Sequence, residues 1–145
     1  MPAVMKGINA ISRCQALFRA DHAPCENIAA SHWAFVFTIC RSPGMTQEEI
    51  AGDLCINKST VTRTLSYLEE HGFVNRVSDK NDRRALRVYP TDKMLEIFPK
   101  LRASAREWNA LIAEDVSEEE IEFFMTVLDK MQSRARKIVG MCVED

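Results

Sequence analysis

The sequence contains no run of about 18 apolar residues, the length that a membrane-spanning helix requires. Lys6 and Arg13 interrupt the apolar residues near its start, where a secretory signal would need a continuous apolar stretch. The five cysteines are widely spaced and form no C-x-x-C pair, which argues against a disulfide framework and against a zinc ribbon. We therefore expect a cytoplasmic protein with reduced cysteines and no membrane partner.

Catalytic signatures are missing as well. The chain has three histidines among 145 residues, no glycine-rich phosphate loop and no G-x-S-x-G sequence. His22, Cys25, Glu26 and His32 lie within eleven residues, but Pro24 interrupts them and the helix predicted after residue 91 supplies no histidine. A metal sensor is thus a weak alternative, and we expect no enzyme, no cofactor and no metal site.

Acidic and basic residues are separated along the chain, although the net charge is only −2. Residues 47–55 carry three acids and no base, residues 56–68 carry two bases and no acid, and residues 75–89 carry five bases and two acids. A nucleic-acid-binding surface needs local positive charge rather than a global excess. The middle of the chain is therefore the candidate for such a surface.

Apolar spacing and turn residues predict a mainly α protein with one small β-hairpin. Thr46 with Glu49, and Ser117 with Glu120, have the spacing of capping boxes. Pro99 lies inside a predicted helix and is expected to kink it. The predicted helices span 3–20, 28–41, 47–54, 58–71, 92–113 and 118–140, and the predicted strands span 73–78 and 84–89.

Apolar residues follow a heptad pattern in both C-terminal helices, and we call the pattern of the last helix the α6 seam. The seam consists of Ile121, Phe124, Leu128, Met131, Ala135, Ile138 and Cys142. The preceding helix has Met94, Phe98, Leu101, Ala105, Trp108 and Ile112 at similar spacing. Two such helices beside a three-helix core leave apolar surface uncovered, which predicts a homodimer.

Residues 46–71 have the pattern of a helix-turn-helix. Apolar residues would support the second helix from behind, namely Ile50, Leu54, Ile56, Val61, Leu65 and Leu68. Hydroxyl and cationic side chains would face outward, namely Lys58, Ser59, Thr60, Thr62, Arg63 and Ser66. Such groups contact phosphates and base edges in a major groove, and we predict DNA binding.

A predicted hairpin follows the helix-turn-helix directly, as in a winged helix. The sequence MTQEEIAGDLCINKSTVTRTLSYLEEHGFVNRVSDKNDRRALRVYPTDK, residues 45–93, resembles the DNA-binding core of the MarR family of bacterial transcription regulators. The flanking helices match that family too. The resemblance implies a winged helix-turn-helix flanked by N- and C-terminal dimerisation helices, with N-terminal helices at 1–42, the DNA-binding domain at 43–90 and C-terminal helices at 91–145 in one compact protomer.

The resemblance also implies a homodimer that binds a pseudo-palindromic operator on double-stranded DNA, usually as a repressor. The family's wing motif D-x-R-D-x-R is matched by Asp79, Asp82 and Arg84, whereas Asn81 replaces an arginine. By this match Arg84 enters the minor groove and Asp82 steadies it. Lys80 and Arg83 would contact phosphates. Three further departures are Cys55, where glycine is common and a slight strain is expected, Thr64, where an apolar residue is common, and Met94, where glycine is often found.

The signal that such a regulator would sense is left open by the sequence. The family binds small, often aromatic, ligands between its subdomains, which makes Phe18, His32 and Trp33 candidate ligand contacts, although dense apolar runs more often form core. A redox sensor using Cys14, beside Arg13, is one alternative, because a cation lowers a thiol pKa. A protein-interaction module without DNA binding is another.

Overall fold

The computed structural model describes residues 3–141 as a mainly helical protein with one small sheet. No helix in this part of the chain is long and apolar enough to cross a membrane. In chain order the elements are α1 (Ala3–Asp21), a 3-10 turn (Ala30–His32), α2 (Trp33–Arg41), β1 (Met45–Thr46), α3 (Gln47–Leu54), α4 (Lys58–Glu70), β2 (Val74–Ser78), β3 (Leu86–Pro90), α5 (Asp92–Ile112) and α6 (Glu118–Ile138).

Side chains at the helix starts satisfy the first backbone N–H groups, as predicted. The Thr46 and Ser117 hydroxyls accept hydrogen bonds from the amides three residues later, at 3.2 Å in both cases. The Glu49 and Glu120 carboxylates in turn accept hydrogen bonds from the backbone amides of Thr46 and Ser117, which completes both capping boxes. Asn57 begins α4 by accepting from the Thr60 amide at 2.9 Å. These caps fix where α3, α4 and α6 begin.

Two elements start two or more residues later than the sequence predicts, and one strand is not predicted. The helix predicted from residue 28 begins at Trp33, because Ala29 is extended and the chain passes through a 3-10 turn first. The second wing strand begins at Leu86 instead of residue 84, since the Ala85 amide donates to the Asp82 carbonyl in the hairpin turn. Strand β1 is not predicted, because a strand of two residues is too short to show an alternation of apolar and polar side chains.

The sheet has the order β1–β3–β2, and both pairs are antiparallel. Met45 pairs with Val88 and therefore ties the start of the helix-turn-helix to the wing. Beneath the sheet lies a core contributed by α2, α3, α4, β2, β3 and α5, with further side chains from the turns. Its largest fully buried side chains include Trp33, Phe73, Ile39, Leu65 and Met94.

The α6 seam is uncovered in the single chain. Phe124 is 51% exposed and Ile138 is 72% exposed, and α6 contains no buried residue. Cys142, the last predicted seam position, lies outside the described residues. In α5, by contrast, Met94 and Leu101 are buried. Helix α5 runs continuously through Pro99, and the kink there stays a prediction.

Cys55 supplies a stability prediction because it ends α3 in the left-handed region, with φ 53°. That conformation costs a residue with a Cβ roughly 1–2 kcal/mol. Glycine avoids this cost but loses more backbone entropy on folding, so the substitution recovers only part of it. We expect Cys55→Gly to raise the free energy of unfolding by about 0.5–1 kcal/mol in urea titrations. Cys55→Ala is the control, since it removes the thiol and keeps the strain. Equal stability of the two variants would contradict the strain argument.

Candidate nucleic-acid interface

Helix α4 has one buried face and one solvent face, as the helix-turn-helix pattern predicted. Val61, Leu65 and Leu68 are fully buried against the core. Lys58, Ser59, Thr62 and Arg63 are exposed on the other side, whereas Thr60 and Ser66 are half-buried. The buried face therefore orients α4 so that hydroxyl and cationic groups of its N-terminal half face solvent.

Hydrogen bonds within the helix-turn-helix orient several of these side chains. The Thr62 hydroxyl donates to the Lys58 carbonyl at 2.9 Å, and the Ser59 hydroxyl donates to the Asn57 side chain at 2.9 Å. A terminal nitrogen of Arg63 lies 3.5 Å from the Thr60 hydroxyl. These contacts are local, so the Arg63 guanidinium keeps most of its donors for another partner.

Glu48 of α3 pairs with Lys58, a contact that the sequence did not reveal. The hydrogen bond from Lys58 lowers the pKa of the Glu48 carboxyl. Both side chains are about three-quarters exposed. A surface pair of this kind contributes little to stability, so a phosphate can replace Glu48 as the partner of Lys58 at small cost.

Arg76 of β2 links the wing to α4, the second helix of the helix-turn-helix. The sequence alone indicates only that Arg76 is one of the five basic residues of the wing segment. Its guanidinium donates to Glu69 at 2.6 and 2.9 Å and to the Ser66 hydroxyl at 3.3 Å. The Arg76 side chain lowers the pKa of Glu69. Ser66 was assigned to the DNA-facing set, but its hydroxyl is engaged by this bridge. The signal that was available is the Glu69–Arg76 charge pair across the α4–β2 turn.

The hairpin turn of the wing is organised by two aspartates. Asp79 accepts from the amides of Asn81, at 2.7 Å, and Asp82, at 3.1 Å, and it pairs with the Arg87 guanidinium. Arg87 also donates to the Gly44 carbonyl at 2.7 Å, which joins the wing to the loop before β1. Each carboxylate in this turn therefore serves the backbone of the wing itself.

Asp82 steadies Arg84 through the backbone. Its carboxylate accepts from the Arg84 amide at 3.0 Å, while the guanidinium stays outside that contact. Lys80, Arg83 and Arg84 are exposed, and within residues 3–141 none of them forms an ion pair. The turn thus presents three cations to solvent on a backbone that its own carboxylates hold.

The wing and the recognition helix meet at an open groove. A cavity of about 230 Å³ is lined by Lys58 and Thr62 from α4, by Arg84 at the wing and by Gln47 and Glu48 of α3. Candidate DNA contacts that are 26 residues apart in the sequence, Lys58 and Arg84, are therefore brought to the same surface.

The candidate ligand contacts lie on α1, in the 3-10 turn and at the start of α2. Trp33 is fully buried, and its indole Nε1 has no hydrogen-bond partner among the described residues. Phe18 is half-buried, with its ring centroid 3.9 Å from that of His22 and 5.3 Å from that of Trp108. The half-buried His32 lies 4.9 Å from the Tyr67 ring, and burial lowers the pKa of His32. Trp33 thus belongs to the core and shows no surface to solvent.

The cysteines differ in environment. Cys14 is exposed on α1, and Cys55 is exposed at the end of α3. Burial raises the pKa of Cys40 to about 11, which keeps its thiol protonated at neutral pH. Within residues 3–141, no group of three or more His, Cys, Asp or Glu side chains is arranged to hold a metal ion.

The wing turn should resist acid. The pKa of Asp79 is lowered, first by the Asn81 amide and then by the Arg87 guanidinium. A lowered folded-state pKa stabilises the fold above the ordinary aspartate value of about 3.9, and this contribution is lost as pH falls through the lower folded value. We expect the Asn81 and Asp82 amide resonances to shift at a lower pH than that at which an ordinary aspartate titrates, about 3.9. Asp79→Asn should remove this transition, and its persistence in that variant would assign it to another carboxyl.

A family model described as "MarR family" matches residues 28–86, which span the start of the core, the helix-turn-helix and most of the wing. A curated relative, the uncharacterized HTH-type transcriptional regulator YybA of Bacillus subtilis (strain 168), is 21% identical over 111 residues. That alignment covers 77% of this chain and 74% of YybA.

Solved structures extend the match over most of the chain. A MarR transcriptional regulator from Methanosarcina mazei Go1 is 25% identical with a TM-score of 0.86, covering 95% of this chain and 99% of that one. A MarR family regulator from Listeria monocytogenes, complexed with 26mer DNA, is 23% identical with a TM-score of 0.85, covering 90% and 87%. Residues 28–86 thus match the MarR family model, and the chain shares the winged-helix fold of the MarR regulators to which it is similar.

Proposed function

We propose that the protein is a homodimeric repressor that binds a pseudo-palindromic operator and is released by a small aromatic ligand. Helix α4 enters the major groove and the wing reaches the flanking minor groove. The observation that carries this proposal is the groove shared by Lys58, Thr62 and Arg84, since it aligns the exposed face of α4 with the wing cations. The DNA-bound Listeria relative supports this use of the fold.

The proposed DNA contacts fall into two groups. Lys58, Ser59, Thr60, Thr62, Arg63 and Ser66 belong to α4, and Lys80, Asp82, Arg83 and Arg84 belong to the wing. Arg63 is the candidate for base readout, because guanidinium donors match guanine O6 and N7. Lys80 and Arg83 suit phosphates, and Ser66 and Asp82 act through Arg76 and through the wing backbone.

The uncovered apolar surface supports a homodimer. Phe124 and Ile138 of the α6 seam are 51% and 72% exposed, and Leu17 of α1 is 70% exposed. Large contiguous apolar surfaces on a protomer mark interaction sites. A second copy of the chain supplies matching helices, and a two-fold axis between protomers then presents two copies of α4 to the two halves of an operator.

The ligand would bind where the N-terminal helices meet the DNA-binding domain. Phe18 and His32 are half-buried, so each offers aromatic surface, while Trp33 would form the floor behind them. Its unpartnered Nε1 is a donor that a ligand acceptor could satisfy after a local movement. In this arrangement residues 1–42 and 91–145 form the dimer platform, residues 43–90 bind DNA, and the protein works in the cytoplasm at the nucleoid.

The DNA contacts are tested on a duplex selected from a random-sequence library, with fluorescence anisotropy as the measurement. We expect Arg63→Ala and Arg84→Ala each to weaken binding by about 1–3 kcal/mol. Glu107→Ala, an exposed change on α5, is the control. Tight binding by Arg84→Ala would contradict the wing assignment, and absence of any selected duplex would favour the interaction module instead.

Asn81→Arg should strengthen binding, since it returns the cation that the family pattern places in the wing. One additional phosphate contact steepens the slope of log Kd against log salt concentration by roughly 0.9. Asn81→Gln, which adds length without charge, is its matched control. An identical salt slope for Asn81→Arg and the wild type would show that position 81 does not approach the phosphates.

The dimer is tested on the α6 seam. Phe124→Glu places a charge at the proposed interface, and we expect the dimer Kd to rise by at least about thirtyfold in sedimentation equilibrium. Thr126→Glu adds the same charge two residues further on, on the opposite side of the helix, and should leave the dimer intact. Equal sedimentation of both variants would rule out the seam as the interface.

A further inference from the structure

We infer that Arg136 of α6 is a positioning residue that couples the dimer platform to the turn before the recognition helix and so sets the angle at which α4 meets DNA. This inference rests on the proposed DNA-binding function. It concerns a residue outside the DNA-binding domain, and 84 residues separate Arg136 from its first partner.

The Arg136 guanidinium makes a two-pronged contact with the end of α3. One terminal nitrogen donates to the Gly52 carbonyl at 2.8 Å, and the other donates to the Asp53 carbonyl at 2.9 Å. Carbonyls in the last turn of a helix lack the usual amide partner four residues later and carry the negative end of the helix dipole. The Gly52 carbonyl also accepts from the Cys55 amide at 3.3 Å. The planar fork of arginine therefore caps α3 with both charge and geometry.

The same turn is held from a second side. The Thr38 hydroxyl of α2 donates to the Asp53 carboxylate at 3.0 Å. Directly after these residues the chain passes through Cys55, in the left-handed conformation, and begins α4 at Lys58. A shift in the end of α3 therefore changes the direction from which α4 starts.

Arg136 is the principal polar link between α6 and the DNA-binding domain. Over residues 3–141, its two contacts are the only side-chain hydrogen bonds that leave α6 for another element. The chain beyond α6 stays close by, because Gly140 and Met141 line a cavity of about 440 Å³ together with Asn57 and Lys58. The end of α6 thus lies over the turn that the two contacts hold.

The consequence concerns the dimer as a whole. A two-fold operator presents its half-sites about 34 Å apart per helical turn, so both recognition helices must be held at a matching spacing and angle. If α6 forms the dimer interface, each Arg136 transfers the position of that interface to the α3–α4 turn of its own protomer. The residue would then sharpen the preference for half-site spacing without contacting DNA.

The first measurement is hydrogen exchange of the backbone amides of residues 55–57 in the free full-length protein. We expect Arg136→Ala to accelerate exchange there by about tenfold, as loss of charge-assisted hydrogen bonds predicts. Lys137→Ala, which removes the same charge from the adjacent exposed position, should leave exchange unchanged. Unchanged exchange in Arg136→Ala would overturn the inference whatever DNA binding shows.

The second measurement uses the duplex selected by the wild type and the same duplex with one base pair inserted between its half-sites. We expect Arg136→Ala to bind the original duplex about tenfold more weakly, to discriminate less against the insertion and to keep the wild-type salt slope. The affinity of Arg136→Lys should fall between those of Arg136→Ala and the wild type, because lysine retains the charge without the two-pronged geometry. Wild-type affinity in Arg136→Lys would overturn the role of that geometry. Sedimentation confirms that each variant is still dimeric.

The outcomes separate the two proposals. Wild-type binding that Arg136→Ala leaves unaffected overturns the role of Arg136 alone. A wild-type protein that binds no duplex overturns the proposed function and the part of Arg136 in it, and the exchange result then reports only on the structural contact.

Discussion

The rest of the structure depends on the burial of one face of α4. Val61, Leu65 and Leu68 are fully enclosed by the core, so the helix has a single orientation about its own axis. Burial of such side chains contributes roughly 1.5–3 kcal/mol each, far more than the polar contacts on the other face. Because the buried face fixes the rotation of α4, the hydroxyl and cationic side chains on its other face are directed to solvent.

The wing uses its acidic residues internally. Asp79 holds two amides and Arg87, and Asp82 holds the Arg84 amide, so neither carboxylate is directed at the neighbouring exposed cations. Glu69 is similarly engaged by Arg76. Net charge is a poor guide to such a surface, because carboxylates that cap backbone groups leave the cations beside them available.

The sequence predicted the local parts of the fold well. Capping residues placed the starts of α3, α4 and α6, and apolar spacing identified the buried face of α4, because both signals act within a few residues. Strand β1 escaped prediction because it exists only through pairing with Val88, 43 residues after Met45. The contact between Arg76 and Ser66 could not be predicted from the sequence, since the path of β2 alongside α4 is a tertiary feature.

Contacts between residues far apart in the sequence are the other part of the structure that could not be predicted. Nothing in the pattern of α6 distinguishes Arg136 from its basic neighbours, yet only the folded chain brings its guanidinium to the end of α3. Its partners are backbone carbonyls, so no complementary residue type marks them in the sequence. The heptad pattern identifies the apolar side of α6. The contact of Arg136 with the end of α3 is a second role of the same helix, and the pattern does not reveal it. Helix α6 and the turn between α3 and α4 are thus joined through backbone groups, which constrain geometry whatever side chains the turn carries.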